Sequence, residues 1–238
     1  MIAYITGASS GIGKALAEIL LENRHQVVGL SRSQSIKHPN YSHVTIDLSD
    51  IKQIKSFSFP ANSKDDIILV NNAGMVGPIK PIGQQITEEI VELNNLNSVT
   101  PQILSNRFIN QYQENLKPNY QIINISSGAG KRPIDAWATY CASKAGLDLF
   151  SETISEELLA RKRFNWHIFS IAPGVVDTKM QSNIRQSNPK DFLNHQKFIE
   201  LKNNDELSSP NLVASQLMSI IDNPKMHLRV VFSLRDLT

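Results

Sequence analysis

The stretch Ile2-Ala3-Tyr4-Ile5-Thr6-Gly7-Ala8-Ser9-Ser10-Gly11-Ile12-Gly13 decides how the chain is read. Its first four residues form an apolar run of strand length. Leu16, Ile19 and Leu20, just beyond it, recur at helical spacing. Strand, glycine-rich turn and helix in that order make a phosphate-binding element. The glycines allow a tight turn and close approach of the backbone, and the helix N-terminus offers unpaired N–H groups and the positive end of its dipole. The spacing here is Gly-x-x-x-Gly-x-Gly, which departs from the commoner Gly-x-Gly-x-x-Gly. A plain strand-to-helix turn would look similar, so the rest of the chain carries the decision.

Further strand-like runs occur at Gln26–Leu30, His43–Ile46, Ile67–Val70, Tyr120–Ile125, Trp166–Ala172 and His227–Phe232, with helical patterns between them. This alternation predicts an α/β fold of the Rossmann type: a doubly wound, seven-stranded parallel sheet with helices on both faces, in a single domain over 1–238. A chain of 238 residues is enough for one such domain with a full core. The 24 basic and 22 acidic residues nearly cancel, to +2, and are spread out, which argues against nucleic acid or a lipid surface as partner. The apolar runs are too short to span a membrane, and a strand starting at Ile2 leaves no room for a signal peptide. The single cysteine, Cys141, forbids an internal disulfide and suits a reducing, cytoplasmic setting; no metal site is expected. Residues 179–208 are polar, with Phe192, Phe198, Ile199 and Leu201 as scattered anchors, and read as a mobile lid over a substrate. Pro210–Ile221 reads as a closing helix.

Chemistry concentrates between Ser126 and Lys144. The run Ile122–Ile125 delivers Ser126 and Ser127, and a helical segment presents Tyr140 and Lys144 at i and i+4, on one face. A phenol with a pKa of about 10 is a poor acid or base at neutral pH. A nearby ammonium would lower that value and let it exchange protons, while a serine hydroxyl polarises a carbonyl oxygen. Asn97 continues the apolar stripe of Ile86, Ile90 and Leu93, so its polar side chain faces inward. Pro101, four residues on, cannot donate to the Asn97 carbonyl, which leaves a seat for a water in a proton relay or simply a kink. After the second strand, where an acidic residue would select NAD, stand Ser31 and Arg32. An arginine fork suits a 2′-phosphate, so NADP(H) is the expected cofactor.

Taken together, Thr6-Gly7-x-x-x-Gly11-x-Gly13, Asp47-Leu48, Asn71-Asn72-Ala73-Gly74, Asn97, Ser127, Tyr140-x-x-x-Lys144 and Pro173-Gly174-x-x-x-Thr178 resemble the short-chain dehydrogenase/reductase family over essentially the whole length. The local runs at 71–81, 124–131 and 172–180 are similar to its sepiapterin-reductase-like branch, nearest a bacterial subgroup that reduces vicinal diketones such as benzil. The resemblance implies a carbonyl reductase with Asn97, Ser127, Tyr140 and Lys144 catalytic. Tyr140 is the acid in reduction, Ser127 rather than Ser126 polarises the carbonyl, and Asn97 holds a relay water through its main chain. It also implies a cofactor site. The turn of Thr6, Gly7, Ser9, Ser10, Gly11, Ile12 and Gly13 holds pyrophosphate, Asp47 and Leu48 meet adenine, and Asn71, Ala73 and Gly74 lie on the adenosine side. Lys144 holds the nicotinamide ribose, and Pro173, Gly174, Val176 and Thr178 reach the carboxamide. Trp137, Met180 and Phe192 are candidates for an apolar pocket wall, and Cys141 for a packed small residue. Relatives pair their long helices across a two-fold axis, which implies a homodimer or homotetramer. Two other readings stay open, a pterin side-chain reductase and a low-turnover NADP-binding regulator. Replacing Arg32 with Ala is expected to raise the KM for NADPH at least tenfold and leave that for NADH little changed; steady-state kinetics with both cofactors checks it.

Overall fold

A computed structural model describes residues 1–60 and 64–237; residues 61–63, inside the connection before the fourth strand, and residue 238 lie outside it. Seven strands form one sheet: β1 Ile2–Thr6, β2 Gln26–Ser31, β3 Tyr41–Thr45, β4 Ile67–Asn71, β5 Tyr120–Ile125, β6 Trp166–Ala172 and β7 Val231–Ser233. Their order is β3-β2-β1-β4-β5-β6-β7, and every neighbouring pair is parallel. The chain winds outward from β1 to β3, then restarts beside β1 with β4. The order therefore reverses between β1 and β4, and the carboxyl ends there open a crevice.

The central strands are apolar throughout because both faces are covered. Ile122 of β5 joins Tyr4, Leu69, Phe108 and Ile154 on one face. There the covering helices are α4 Thr100–Tyr112 and α5 Ala138–Ala160. Ile123, the next residue, joins Ile5, Leu16, Leu20, Val213 and Leu217 on the other face. That side is covered by α1 Gly11–Glu22 and α8 Pro210–Asp222. The short α2 Ile51–Ser56 starts at Asp50, whose carboxylate accepts from the Lys52 N–H. Among the described residues no helix is long and apolar enough to cross a membrane.

Three segments differ from the sequence expectation. The last strand is only Val231–Ser233, because residues from Pro224 turn helically and Met226 and Leu228 stand 78% and 96% exposed. Residues 179–208 contain two helices, α6 Lys179–Arg185 and α7 His195–Asn203, in place of a polar loop with scattered anchors. Their stems are pinned together: Asp177 N donates to Ser208 O at 2.9 Å, Ser208 N to Val175 O at 2.9 Å, and Lys202 pairs with Asp177 at 2.8 Å. The helix expected from Thr87 is α3 Thr87–Asn94 joined to α4 by a wide π-type turn at Asn95–Val99. Pro101 cannot donate to the Asn97 carbonyl, and the Thr100 N–H reaches back five residues to Asn95 O. The expected kink is thus a local widening, and it leaves Asn97 fully buried.

One close approach sets the distance between the serine turn and α5. A Cβ on Gly130 would lie 3.0 Å from the Lys144 carbonyl carbon and 3.1 Å from the Ala145 nitrogen, whereas one on Gly128 would meet nothing within 4 Å. Gly130→Ala is expected to lose about 1–3 kcal/mol of stability and Gly128→Ala less than about 0.5, as read by denaturant unfolding.

Candidate active site

A cleft of about 1190 Å³ runs along the carboxyl ends of the strands. It gathers residues from every βα connection of the central sheet. Gly7, Ser9, Ser10, Gly11 and Ile12 line it after β1, Ser31 and Arg32 after β2, and Asp47 and Leu48 after β3. Ala73 and Gly74 follow β4, Ser127, Tyr140 and Lys144 belong to the β5–α5 unit, and Pro173, Gly174, Val176 and Thr178 follow β6. Positions more than 150 residues apart in sequence thus share one wall.

Four expected residues lie behind that wall. The Thr6 hydroxyl accepts from the Asn72 and Ala73 N–H groups at 2.9 and 3.0 Å and donates to Val70 O at 3.3 Å, so it ties β1 to the end of β4. Gly13 is a contact residue: a Cβ there would fall 2.4 Å from Asn72 Nδ2. Asn71 Nδ2 donates to Asn124 Oδ1 at 2.8 Å and Ser105 Oγ at 3.3 Å, and Asn124 Nδ2 donates to Ser151 Oγ at 2.8 Å. The Asn71–Asn124 pair therefore bridges β4, β5, α4 and α5. Asn97 Oδ1 accepts from Met75 N at 2.9 Å, and its Nδ2 donates to Met75 O at 2.8 Å and Ser143 Oγ at 3.3 Å. It clamps the loop after β4. Asn72, whose Nδ2 donates to Thr6 O at 2.9 Å, went unassigned in the sequence although it stands beside Asn71. Arg235, brought to the cleft beside Gly174 by β7, carried no sequence signal because β7 lies far along the chain from every motif.

The reactive groups meet at the floor. The Ser127 hydroxyl stands near enough to the Tyr140 phenol to favour its ionised form, and it accepts from the Ala129 N–H at 3.1 Å. Ser126 is buried and its hydroxyl has no partner among the described residues, whereas Ser127 is the serine that acts on the phenol. Lys144 Nζ donates to Ile125 O at 2.8 Å and lies 5.9 Å from the centre of the Tyr140 ring. The sequence leads one to expect a lowered phenol pKa; the structure shows the opposite balance. Burial pushes the Tyr140 phenol up, and the Ser127 hydroxyl beside it only partly offsets this. Burial also pulls the Lys144 ammonium down to about 8, against the attraction of Asp148. Tyr140 is therefore a protonated donor at neutral pH, held with a second hydroxyl around a point where a carbonyl oxygen fits.

Trp137 and Met180 line the cleft, but Phe192 does not: it is 1% exposed and stacks on Trp137, with ring centres 5.6 Å apart at 16°. Asp47 Oδ1 accepts from the Ser49 N–H at 2.9 Å and hydroxyl at 2.8 Å, while Asp50 is the helix cap. Among the described residues no group of three or more His, Cys, Asp or Glu could hold a metal ion.

The cradle after β1 fits a dinucleotide. Gly7 and Gly11 hold φ of +69° and +56°, and a Cβ on Gly11 would come 3.2 Å from Thr178 Cγ2. The N-terminus of α1 has neither an acidic residue in its first turn nor a capping side-chain bond from Ser10, so its N–H groups and positive pole face the cleft.

Residues 1–189 match the family described as short chain dehydrogenase, and the chain belongs to it. It is an oxidoreductase of the CH–OH/C=O class that uses a nicotinamide cofactor. It is 36% identical over 225 residues to "Benzil reductase ((S)-benzoin forming)" of Bacillus subtilis (strain 168) and 35% identical over 232 residues to the protein of the same name from Bacillus cereus, each alignment covering 92% of both chains. Among solved structures it resembles "4-hydroxyisoleucine dehydrogenase complexed with NADH", with a TM-score of 0.78 and 25% identity over 98% of this chain and 96% of that one.

Because the depressed lysine keeps its proton only below about pH 8, while the raised phenol keeps its own across that range, carbonyl reduction is expected to hold level near neutrality. It should fall as pH rises through about 8, where Lys144 discharges. A pH profile of kcat/KM checks this; a level profile to pH 10 contradicts it.

Proposed function

We propose that the chain is an NADPH-dependent carbonyl reductase acting on vicinal diketones such as benzil, with (S)-benzoin as product. The observation that carries the reading is that Ser127, Tyr140 and Lys144 line one cleft together, with Lys144 held by the Ile125 carbonyl. Tyr140 donates its proton to the carbonyl oxygen, and Ser127 holds that oxygen through its hydroxyl. Lys144, fixed by the Ile125 carbonyl, supplies positive charge that favours the phenolate left after transfer. Asn97 contributes through its main chain, at the wide turn where Pro101 withholds a donor. A bound reduced nicotinamide supplies the hydride.

The cofactor contacts are read from the same geometry. The N–H groups after Gly11 take the pyrophosphate, Arg32 the 2′-phosphate, and Val176 and Thr178 the carboxamide end. Arg32 is in none of the ion pairs among the described residues, and it leaves β2 where an acidic residue would disfavour a phosphate. The segment 179–208 covers the substrate end: Met180, Ile184 and Phe198 join Trp137 in one apolar cluster. A neutral diketone with aryl substituents suits such a surface. The names of the two Bacillus relatives support the diketone. Assembly as a homodimer or homotetramer is part of the same proposal.

Tyr140→Phe removes the donor while keeping the ring. Benzil reduction, followed as loss of NADPH absorbance, is expected to fall 10²–10⁴-fold in kcat with NADPH affinity little changed. Ser127→Ala should lower kcat about 10²–10³-fold in the same assay. A Tyr140→Phe protein as fast as the parent overturns the reading, as does tight NADPH binding without turnover on benzil, diacetyl or sepiapterin.

A further inference from the structure

The reductase reading leaves a ring of charge unexplained. Lys80, on the loop after β4, Lys131 and Arg132, on the connection before α5, and Lys179, at the start of α6, all line the cleft. The ion pairs among the described residues are Lys14–Glu18, Arg161–Glu157, Arg163–Glu114 and Lys202–Asp177, so none of these four cations is in one. The acids that line the cleft are Asp47, Glu92 and Asp191; Asp47 already accepts from Ser49, and Asp191 from Asn188 Nδ2 at 3.2 Å. The same lining carries an apolar set, Val76, Ile79, Ile134, Trp137, Met180 and Ile184, which belong to one cluster.

Lys131 and Arg132 are not on a loose loop. Gly130 N donates to Ser127 O at 2.9 Å and Lys131 N to Gly128 O at 3.2 Å. Gly130 itself is pressed against the α5 backbone with no room for a methyl group. Cys141 Sγ lies 3.8 Å from the Arg132 carbonyl, a second tie to α5. At about 2 Å per residue for a tight helical turn, both cations leave the backbone within roughly 10 Å of the serine that faces Tyr140. They also lie beyond Ser127 on the β5–α5 connection. Arg32, the residue read as meeting the cofactor phosphate, leaves β2, and β1 and β4 stand between β2 and β5 in the sheet.

We infer that the site takes a carbonyl compound with an apolar body and an anionic group, such as a carboxylate, within roughly 10 Å of the reacting oxygen, and that Lys131 and Arg132 select that charge. This deepens the reductase reading and rests on it. A neutral diketone fills the apolar wall and leaves the ring unused; an anionic one uses both. A cation pair at the mouth of a low-dielectric cleft concentrates anions there and rejects cations, and the arginine fork matches a carboxylate in two hydrogen bonds.

The test compares 4-carboxybenzil with its methyl ester, which share shape and differ in charge. In the parent protein kcat/KM for the acid should exceed that for the ester at least tenfold at about 50 mM salt, and the gap should shrink at about 500 mM. In the double variant Lys131→Gln/Arg132→Gln the ratio should fall close to one. Both residues are exposed, and an unchanged melting temperature shows that the variant folds. The same ratio is read without turnover from quenching of tryptophan fluorescence in the presence of NADP⁺ in a Trp166→Phe background, which leaves Trp137 as the one tryptophan, so a failure of the reductase reading stays separate from a failure of this one. An acid no better than its ester in the parent overturns the inference. So does a double variant that keeps the ratio but binds NADPH tenfold more weakly, which would assign the two cations to the cofactor.

Discussion

The ammonium of Lys144 sits 4% exposed beneath the cleft, and much of the surrounding structure exists to hold it there. Pulling its pKa from 10.5 to about 8 disfavours the charged form by about 3 kcal/mol, a large part of the net stability of a domain. The compensation is specific. Ile125 O, the last carbonyl of β5, accepts from Nζ at 2.8 Å, and Asp148, one turn further along α5, supplies a carboxylate that the Ser170 hydroxyl holds at 2.6 Å. The first partner is a strand carbonyl and the second is a helix carboxylate held by Ser170 of β6, so the cation is placed by the sheet rather than by its own helix alone.

A second set of polar contacts keeps the crevice open. Parallel strands need every backbone group for the ladder, so the loops leaving them must be fastened by side chains. Thr6 and Asn72 fasten β1 to β4, Asn71 and Asn124 fasten β4 to β5, and Asn97 holds Met75 by both backbone groups. Thr6, Asn71, Asn97 and Asn124 work one layer behind the surface that a dinucleotide would touch, while Asn72 stands at its edge. They explain why residue types usually found in turns are buried at the ends of apolar strands.

The phenol illustrates how a pairwise argument can miss a balance. Tyr140 and Lys144 share a helix face, and the sequence shows that. The direction of the phenol shift depends on how completely water is excluded, which is a property of the packing of Trp137, Phe192 and Phe198 above the site. Spacing alone cannot report that exclusion. Phe192 is a related case: an aromatic residue in a polar segment suggested a pocket wall, yet it became the backing for Trp137 once two short helices folded over it.

The order of strands and helices, the glycine turn before α1, the one-turn spacing of Tyr140 and Lys144, and the inward Asn97 were legible without coordinates. Each depends on local periodicity or on the steric needs of a single turn, and both are written in neighbouring residues. The tertiary structure decided which of those residues face the cleft and which stand behind it, and that β7 carries Arg235 to the site. It also decided the protonation balance of the buried pair. These depend on contacts between segments 50 to 200 residues apart and on the exclusion of water that such contacts bring, and no local pattern encodes either.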